Sequence, residues 1–229
     1  MIVCPFQPTL FPSLYVFNRA YQADMFIMML SAQFCAANKK EDGNKGKTGQ
    51  RHMLLGGAKP VAWVGVPIER ELQPIRETVL KSTNWRDTIM TELDERYSSA
   101  PYYLNYRGVV QDILRNSNTL GDLNSNCFLW GHKVFNLACT VKDDVEICPL
   151  QKGNDWVSSL VQHSGCDTLI TGKPSLNYLD TERFTKVKVQ DWKCPTYPQI
   201  STGWTPSLSM LDAIFNIGAE ATAQLIKTN

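Results

Sequence analysis

The first thirty residues constrain the fold of this chain more than any later stretch, because they set two short apolar runs on either side of a polar, proline-rich loop and an amphipathic helix. Ile2, Val3 and Cys4 read as a buried strand ended by Pro5, and Pro8 and Pro12 stiffen the turn that carries Gln7 and Thr9. Leu14, Phe17 and Tyr21 then recur at helical spacing, and Met25 to Leu30 is a second run of strand length. This order predicts a βαβ unit with its loop at a helix N-terminus, where unpaired N–H groups face anions.

The pattern then lapses. From Ser31 the chain passes through SAQFCAA into NKKEDGNKGKTGQRHMLLGGAKP, polar, glycine-rich and without periodicity. Lys39, Lys40, Lys45, Lys47 and Arg51 outnumber Glu41 and Asp42 there, so this loop either meets phosphates or nucleic acid or simply faces water. Val61 to Ile68 resumes as a strand, with Pro67 near its end. Trp85, Ile89, Leu93 and Tyr97 lie four residues apart behind Asn84, a reasonable N-cap. Pro101 breaks that helix, and two more follow, Tyr103 to Asn116 and Leu123 to Leu137, making a helical insertion over about 84–138. Alternation returns with strands at Val145 to Cys148, Thr168 to Thr171 and Val187 to Trp192, and helices at Asp155 to His163, Ser209 to Asn216 and an alanine-rich close near Lys227. The fold class is α/β: a single Rossmann-like domain over 1–229, with a central, largely parallel or mixed sheet flanked by helices and a helical middle segment.

Composition narrows the class of partner. A net charge of +1 names none, and it is far from the strongly basic balance of a dedicated nucleic-acid-binding domain. Cys4, Cys35, Cys127, Cys139, Cys148, Cys166 and Cys194 are odd in number and include no Cys-x-x-Cys pair, which argues against a disulfide framework or a zinc knuckle. No basic n-region precedes the first apolar residues, and no run approaches a membrane span. A soluble, cytoplasmic protein without a membrane partner is expected.

Several side chains stand where chemistry is feasible. Gln7, in its proline-locked loop, either orients a phosphate or amide or satisfies the turn backbone. Gln33 falls just past the second strand, at the edge where a parallel sheet opens its crevice. Gly172 and Lys173 follow a later strand, so Lys173 either serves as a point charge on phosphate or is merely exposed. Tyr178 and Asp180 frame the same edge unless Asp180 caps a turn. Tyr197 and Gln199 flank Pro198 in an extended segment, where alternate side chains point the same way. Ser207 or Ser209 N-caps a helix, and Asp212, on that otherwise apolar helix, is a candidate buried carboxylate that accepts a proton from an amine or bonds to backbone. No His-Glu-x-x-His, Walker loop or Gly-x-Gly-x-x-Gly is present. His52, His132 and His163 lie in unrelated settings and receive no catalytic role, and Cys35 lacks a partner base.

Four separated segments together resemble the WbqC-like proteins of bacterial surface-polysaccharide and antibiotic gene clusters. They are QPTLFPSLYVF (Gln7 to Phe17) with Ala23-Asp24; Gln33-Phe34; Trp85, Tyr97 and Ala100-Pro101-Tyr102-Tyr103; and a late set of Gly172, Tyr178-Leu179-Asp180, Tyr197-Pro198-Gln199 and Ser209 through Asp212 to Gly218. The departures are specific: Leu30 and Ser31 replace two Asp that the family usually carries, Phe6 replaces a frequent His, and the lysine-rich loop expands a short turn. The resemblance implies a tailoring transferase that joins an amine-bearing small molecule, an amino acid or amino sugar, to a phosphate-activated acceptor; no motif in the chain calls for a cofactor. Under it Gln7, Gln33 and Asp212 are catalytic candidates, while Thr9, Lys173, Tyr178, Asp180, Tyr197, Gln199 and Ser209 bind substrate. Two alternatives stay open: attachment of an amine to a phosphorylated hydroxymethyl-uracil in DNA, as in viral thymine hypermodification, and non-catalytic binding of a carbohydrate or nucleotide.

Overall fold

The computed structural model describes residues 1–34, 47–69, 72–201 and 203–228. The opening forms the expected βαβ unit: β1 (Ile2–Phe6), α1 (Leu14–Tyr21) and β2 (Met25–Met28), with β1 and β2 parallel and Val3 opposite Met25. The chain continues through a hairpin of β3 (His52–Leu55) and β4 (Ala62–Gly65) to three helices, α2 (Trp85–Tyr97), α3 (Tyr103–Arg115) and α4 (Leu120–Val134). It then returns through β5 (Thr140–Asp143), α5 (Gly153–His163), β6 (Thr168–Gly172) and β7 (Lys186–Gln190) to α6 (Met210–Lys227).

The five-stranded sheet runs β5-β2-β1-β6-β7 with every pairing parallel, so it is not mixed; the antiparallel hairpin β3-β4 stands apart. The chain builds outward from β1 to β2 and β5, then crosses back to lay β6 on the other side of β1. Strand order therefore reverses between β1 and β6, the point at which open α/β sheets form a crevice beyond their carboxyl ends. Parallel strands covered on both faces must be apolar throughout. Val3, Cys4, Phe26, Ile27, Leu169 and Ile170 meet that demand.

Several boundaries differ from the sequence reading for local reasons. The strand expected over Val145 to Cys148 is Thr140–Asp143 instead, because Asp143 and Glu146 close a capping box that turns the next residues into a 3-10 turn. Strand β3 lies inside the stretch read as unstructured; only its pairing with β4 reveals it. Tyr21 does not join the buried stripe of α1 and is 44% exposed. The last two helices run on as α6 but break at Gly218, whose φ of 79° lies in the left-handed region and whose close neighbour is the Tyr102 ring. Thr119 and Asp122 cap α4 with a reciprocal box, starting it three residues before the expected Leu123.

The proline-rich loop is tied to the start of α6. Ser209 Oγ donates to the Phe11 carbonyl at 2.8 Å, Met210 N–H donates to the Pro12 carbonyl at 2.9 Å, and Ser13 Oγ donates to the Ser207 carbonyl at 2.9 Å. Phe11 and Ser207 both have positive φ, 36° and 60°, a conformation disfavoured for residues with a Cβ that the surrounding bonds hold in place. Among the described residues, no helix is long and apolar enough to cross a membrane.

Candidate functional site

A cleft of about 520 Å³ opens at the reversal point, beyond the carboxyl ends of β1 and β6. Gln7 and Thr9 from the proline-rich loop, Thr171 from the end of β6, Ser175 beyond it, and Tyr178 line it, and among the described residues no carboxylate does. Gln7 is exposed there, and its Oε1 accepts from Gln50 Nε2 at 2.8 Å. Thr48, Gly49 and Gln50 form part of the rim, so the stretch between Lys47 and Arg51 lies against the cleft. Lys39, Lys40 and Lys45 lie outside the described residues, as does Cys35.

The charge in the cleft comes from Arg19, a residue the sequence reading did not single out. The residue is 7% exposed; its guanidinium packs over the Phe6 and Tyr15 rings at 5.3 and 5.6 Å and donates from Nε and Nη2 to Gln190 Oε1 at 3.1 and 2.9 Å. Gln190, at the end of β7, is itself oriented by donating to the Tyr15 carbonyl and to Asn18 Oδ1. The available signal was weak: an arginine flanked by Asn18 and Ala20 in a helix that is buried on both sides. A Cβ on Gly172 would come within 2.6 Å of Arg19 Nη2, so the glycine at the end of β6 makes room for this guanidinium. Gly172→Ala should displace Arg19 from Gln190 and destabilise the protein by about 1–3 kcal/mol, as an overpacked site does. Chemical denaturation of the variant beside the parent checks this.

A second pocket of about 380 Å³ adjoins the cleft, and Tyr15 lines both. Its walls include Trp192, Trp204 and Tyr197, with Lys193 at the edge. Behind Tyr197 lies Asp212, fully buried, accepting from Tyr97 Oη at 2.8 Å and from Tyr197 Oη at 2.9 Å on its two oxygens. Burial pushes the Asp212 carboxyl above its ordinary range although both hydroxyls oppose the shift. Burial and the facing carboxylate push both phenols well above theirs, so they remain donors. Asp212 opens on neither cavity, and its hydrogen bonds join α2, α6 and the extended segment through Tyr197.

The other predicted residues disperse. Lys173 pairs with Asp191 at the surface and points away from the cleft lining. Asp180 accepts from Arg183 Nε at 2.8 Å, in the N-cap position of a short 3-10 turn whose N–H groups its side chain does not cap. Gln199 closes its own loop, giving and taking hydrogen bonds with Thr205 backbone at 3.0 and 2.8 Å. Ser209 is the N-cap of α6, with Leu211 N–H donating to its hydroxyl. Gln33 sits beyond the end of β2, donating to the Leu72 carbonyl at 3.1 Å, apart from the cleft. Of the predicted set, Gln7, Thr9 and Tyr178 share the cleft, and Tyr197 reaches the neighbouring pocket.

The place of the missing acidic pair is occupied differently. Ser31 N–H donates to Asp144 Oδ2 at 2.9 Å, and Arg76 binds Ser31 Oγ, Asp143 and Asp144 together. Carboxylates from the end of β5 thus stand beside Ser31, already engaged by an arginine from the 3-10 turn Ile75–Glu77. Burial and the adjoining Asp143 push Asp144 up to about 6.

The chain is similar to the uncharacterized protein Rv1507c of Mycobacterium tuberculosis, 24% identical over 178 residues, which cover 69% of this chain and 73% of that protein. The model of the WbqC-like protein family matches residues 7–224, from the glutamine of the proline-rich loop almost to the end of α6, and the chain belongs to that family.

Proposed function

We propose that this protein is a transferase joining an amine-bearing small molecule to a phosphate-activated acceptor. The observation that carries the reading is the meeting of two cavities at Tyr15, a polar one at the strand ends and an aromatic one beside it. Two adjoining seats let two reactants be held side by side, which converts an encounter into an intramolecular step. The amine nitrogen bonds to the acceptor carbon, the carbon–oxygen bond to the phosphate breaks, and the phosphate leaves with that electron pair. Asp212 is sealed behind Tyr197 with both oxygens bonded, so the departing phosphate takes the ammonium proton. Gln7, Thr9 and Arg19 then belong to the phosphate side, and Tyr197, Trp192 and Trp204 to the other.

The aromatic pocket favours one acceptor in particular. Trp192 and Trp204 offer faces on which an extruded base can stack, and Lys47 and Arg51 flank Thr48, Gly49 and Gln50 at the cleft rim. This supports the DNA-base reading beside the glycan one. The test is leaving-group release on mixing the protein with glycine and, in parallel, duplex DNA bearing phosphorylated hydroxymethyl-uracil, read as inorganic phosphate, or a nucleotide sugar, read as nucleoside diphosphate, with a salt series of DNA binding. Release from the DNA with binding that weakens steeply in salt selects the base-modifying reaction, and release from the sugar substrate alone selects glycan tailoring. Ligand binding without turnover on either substrate leaves a binding protein.

A further inference from the structure

We infer that Arg19 is the seat of a phosphoryl group, held at the floor of the strand-end cleft. The inference deepens the transferase reading and rests on it for the identity of the rest of the substrate, but the seat itself stands on geometry. Burying a guanidinium is costly unless the charge is compensated. Two arginines are buried among the described residues, and they are treated differently. Arg96 has Glu92 at 2.7 Å and two backbone carbonyls, Gly56 and Pro60. Arg19 has no carboxylate within ion-pair distance among the described residues, only the neutral amide oxygen of Gln190.

That amide is oriented so that it holds the fork without neutralising it. Because Gln190 Nε2 is committed to the Tyr15 carbonyl and Asn18 Oδ1, its oxygen is the end presented to Arg19. Cys4, the thiol beneath, is pushed up to about 12 by burial and stays uncharged. Two of the five N–H donors that a guanidinium carries go to Gln190, and the others have no oxygen acceptor among the described residues. Among the described residues nothing neutralises the positive charge that lines the cleft, in a low-dielectric setting that strengthens its pull on an anion. A phosphoryl group fits better than a planar carboxylate, because Thr9, Thr171 and Ser175 line the cleft beside Arg19 and give a tetrahedral group more hydroxyl partners than a flat one can use.

Isothermal titration of the full chain with inorganic phosphate, and separately with acetate, tests the seat without requiring turnover. The parent should bind phosphate in preference to acetate. Arg19→Gln should weaken phosphate binding roughly ten- to hundredfold, the range for losing charge-assisted hydrogen bonds. Arg19→Lys, which keeps the charge but not the fork, should fall between them, and it decides the matter if the glutamine variant does not fold. Phosphate binding unchanged in a folded variant, or acetate bound as tightly as phosphate, overturns the assignment. If the parent binds phosphate through Arg19 but catalyses no transfer, the seat stands and the transferase reading falls. Transfer that proceeds equally well in Arg19→Gln has the opposite meaning.

Discussion

Asp212→Ala should destabilise the folded protein by about 3–5 kcal/mol, since it strands two buried phenols that have no other acceptor among the described residues and opens a void between α2 and α6. The loss is structural because Tyr97 and Tyr197 donate to opposite oxygens of this one carboxylate, with Gly56 N–H completing the set through a 3.0 Å bond to Tyr97 Oη. Asp212→Asn keeps one acceptor oxygen and should lose less. The pH dependence has a definite sign. Burial raises the folded-state pKa of Asp212 above its ordinary 3.8, so the native state binds its proton more tightly than the unfolded chain does. The contribution of this group to stability is therefore greatest below the unfolded value and declines as pH rises through the raised folded one. The stability difference between the parent and Asp212→Asn should carry that slope, read by denaturant titrations across the acid range. The same variants separate two roles: a general base would show lost turnover at preserved stability, whereas a buried pin shows lost stability.

Phe128→Ala should cost about 3–5 kcal/mol, the range for removing a large aromatic side chain from a close-packed core. Phe128 is 2% exposed and stacks on Phe26 of β2 at 4.1 Å and on Phe17 of α1 at 5.4 Å, and Phe135 meets Phe17 edge-on at 4.9 Å. The cluster joins α4 to the first βαβ unit. Gly131 lets the two helices close, because a Cβ there would fall 2.4 Å from Phe17. The denaturation midpoint should drop with an unchanged slope if the core loosens without altering the unfolded state. Because α1 also carries Tyr15 and Arg19, phosphate binding should weaken with it in the folded fraction.

Much of this was legible in the residues. The opening βαβ unit followed from two apolar runs of strand length around a period of 3.6, and the prolines marked the loop that forms one lip of the cleft. A serine cap, at Ser207 or Ser209, and the burial of Asp212 were readable from an apolar helical stripe interrupted by one carboxylate, and the structure takes Ser209. These features depend on neighbours within a turn or two, and local spacing encodes them directly.

Tertiary structure alone decided what those residues face. Whether Lys173 or Arg19 supplies the charge of the cleft depends on β7 pairing beside β6: that pairing brings Gln190 to Arg19, 171 residues away in sequence, and the loop after β7 brings Asp191 to Lys173. Asp212 reads on its own helix as a lone acid open to substrate, and becomes a sealed acceptor only when Tyr97 arrives from 115 residues away. Strand β3, flanked by polar sequence, is a strand because β4 supplies its hydrogen bonds. Chain periodicity states which face of an element is buried, but the partner across that face is set by long-range packing, and charge is compensated or left free only there.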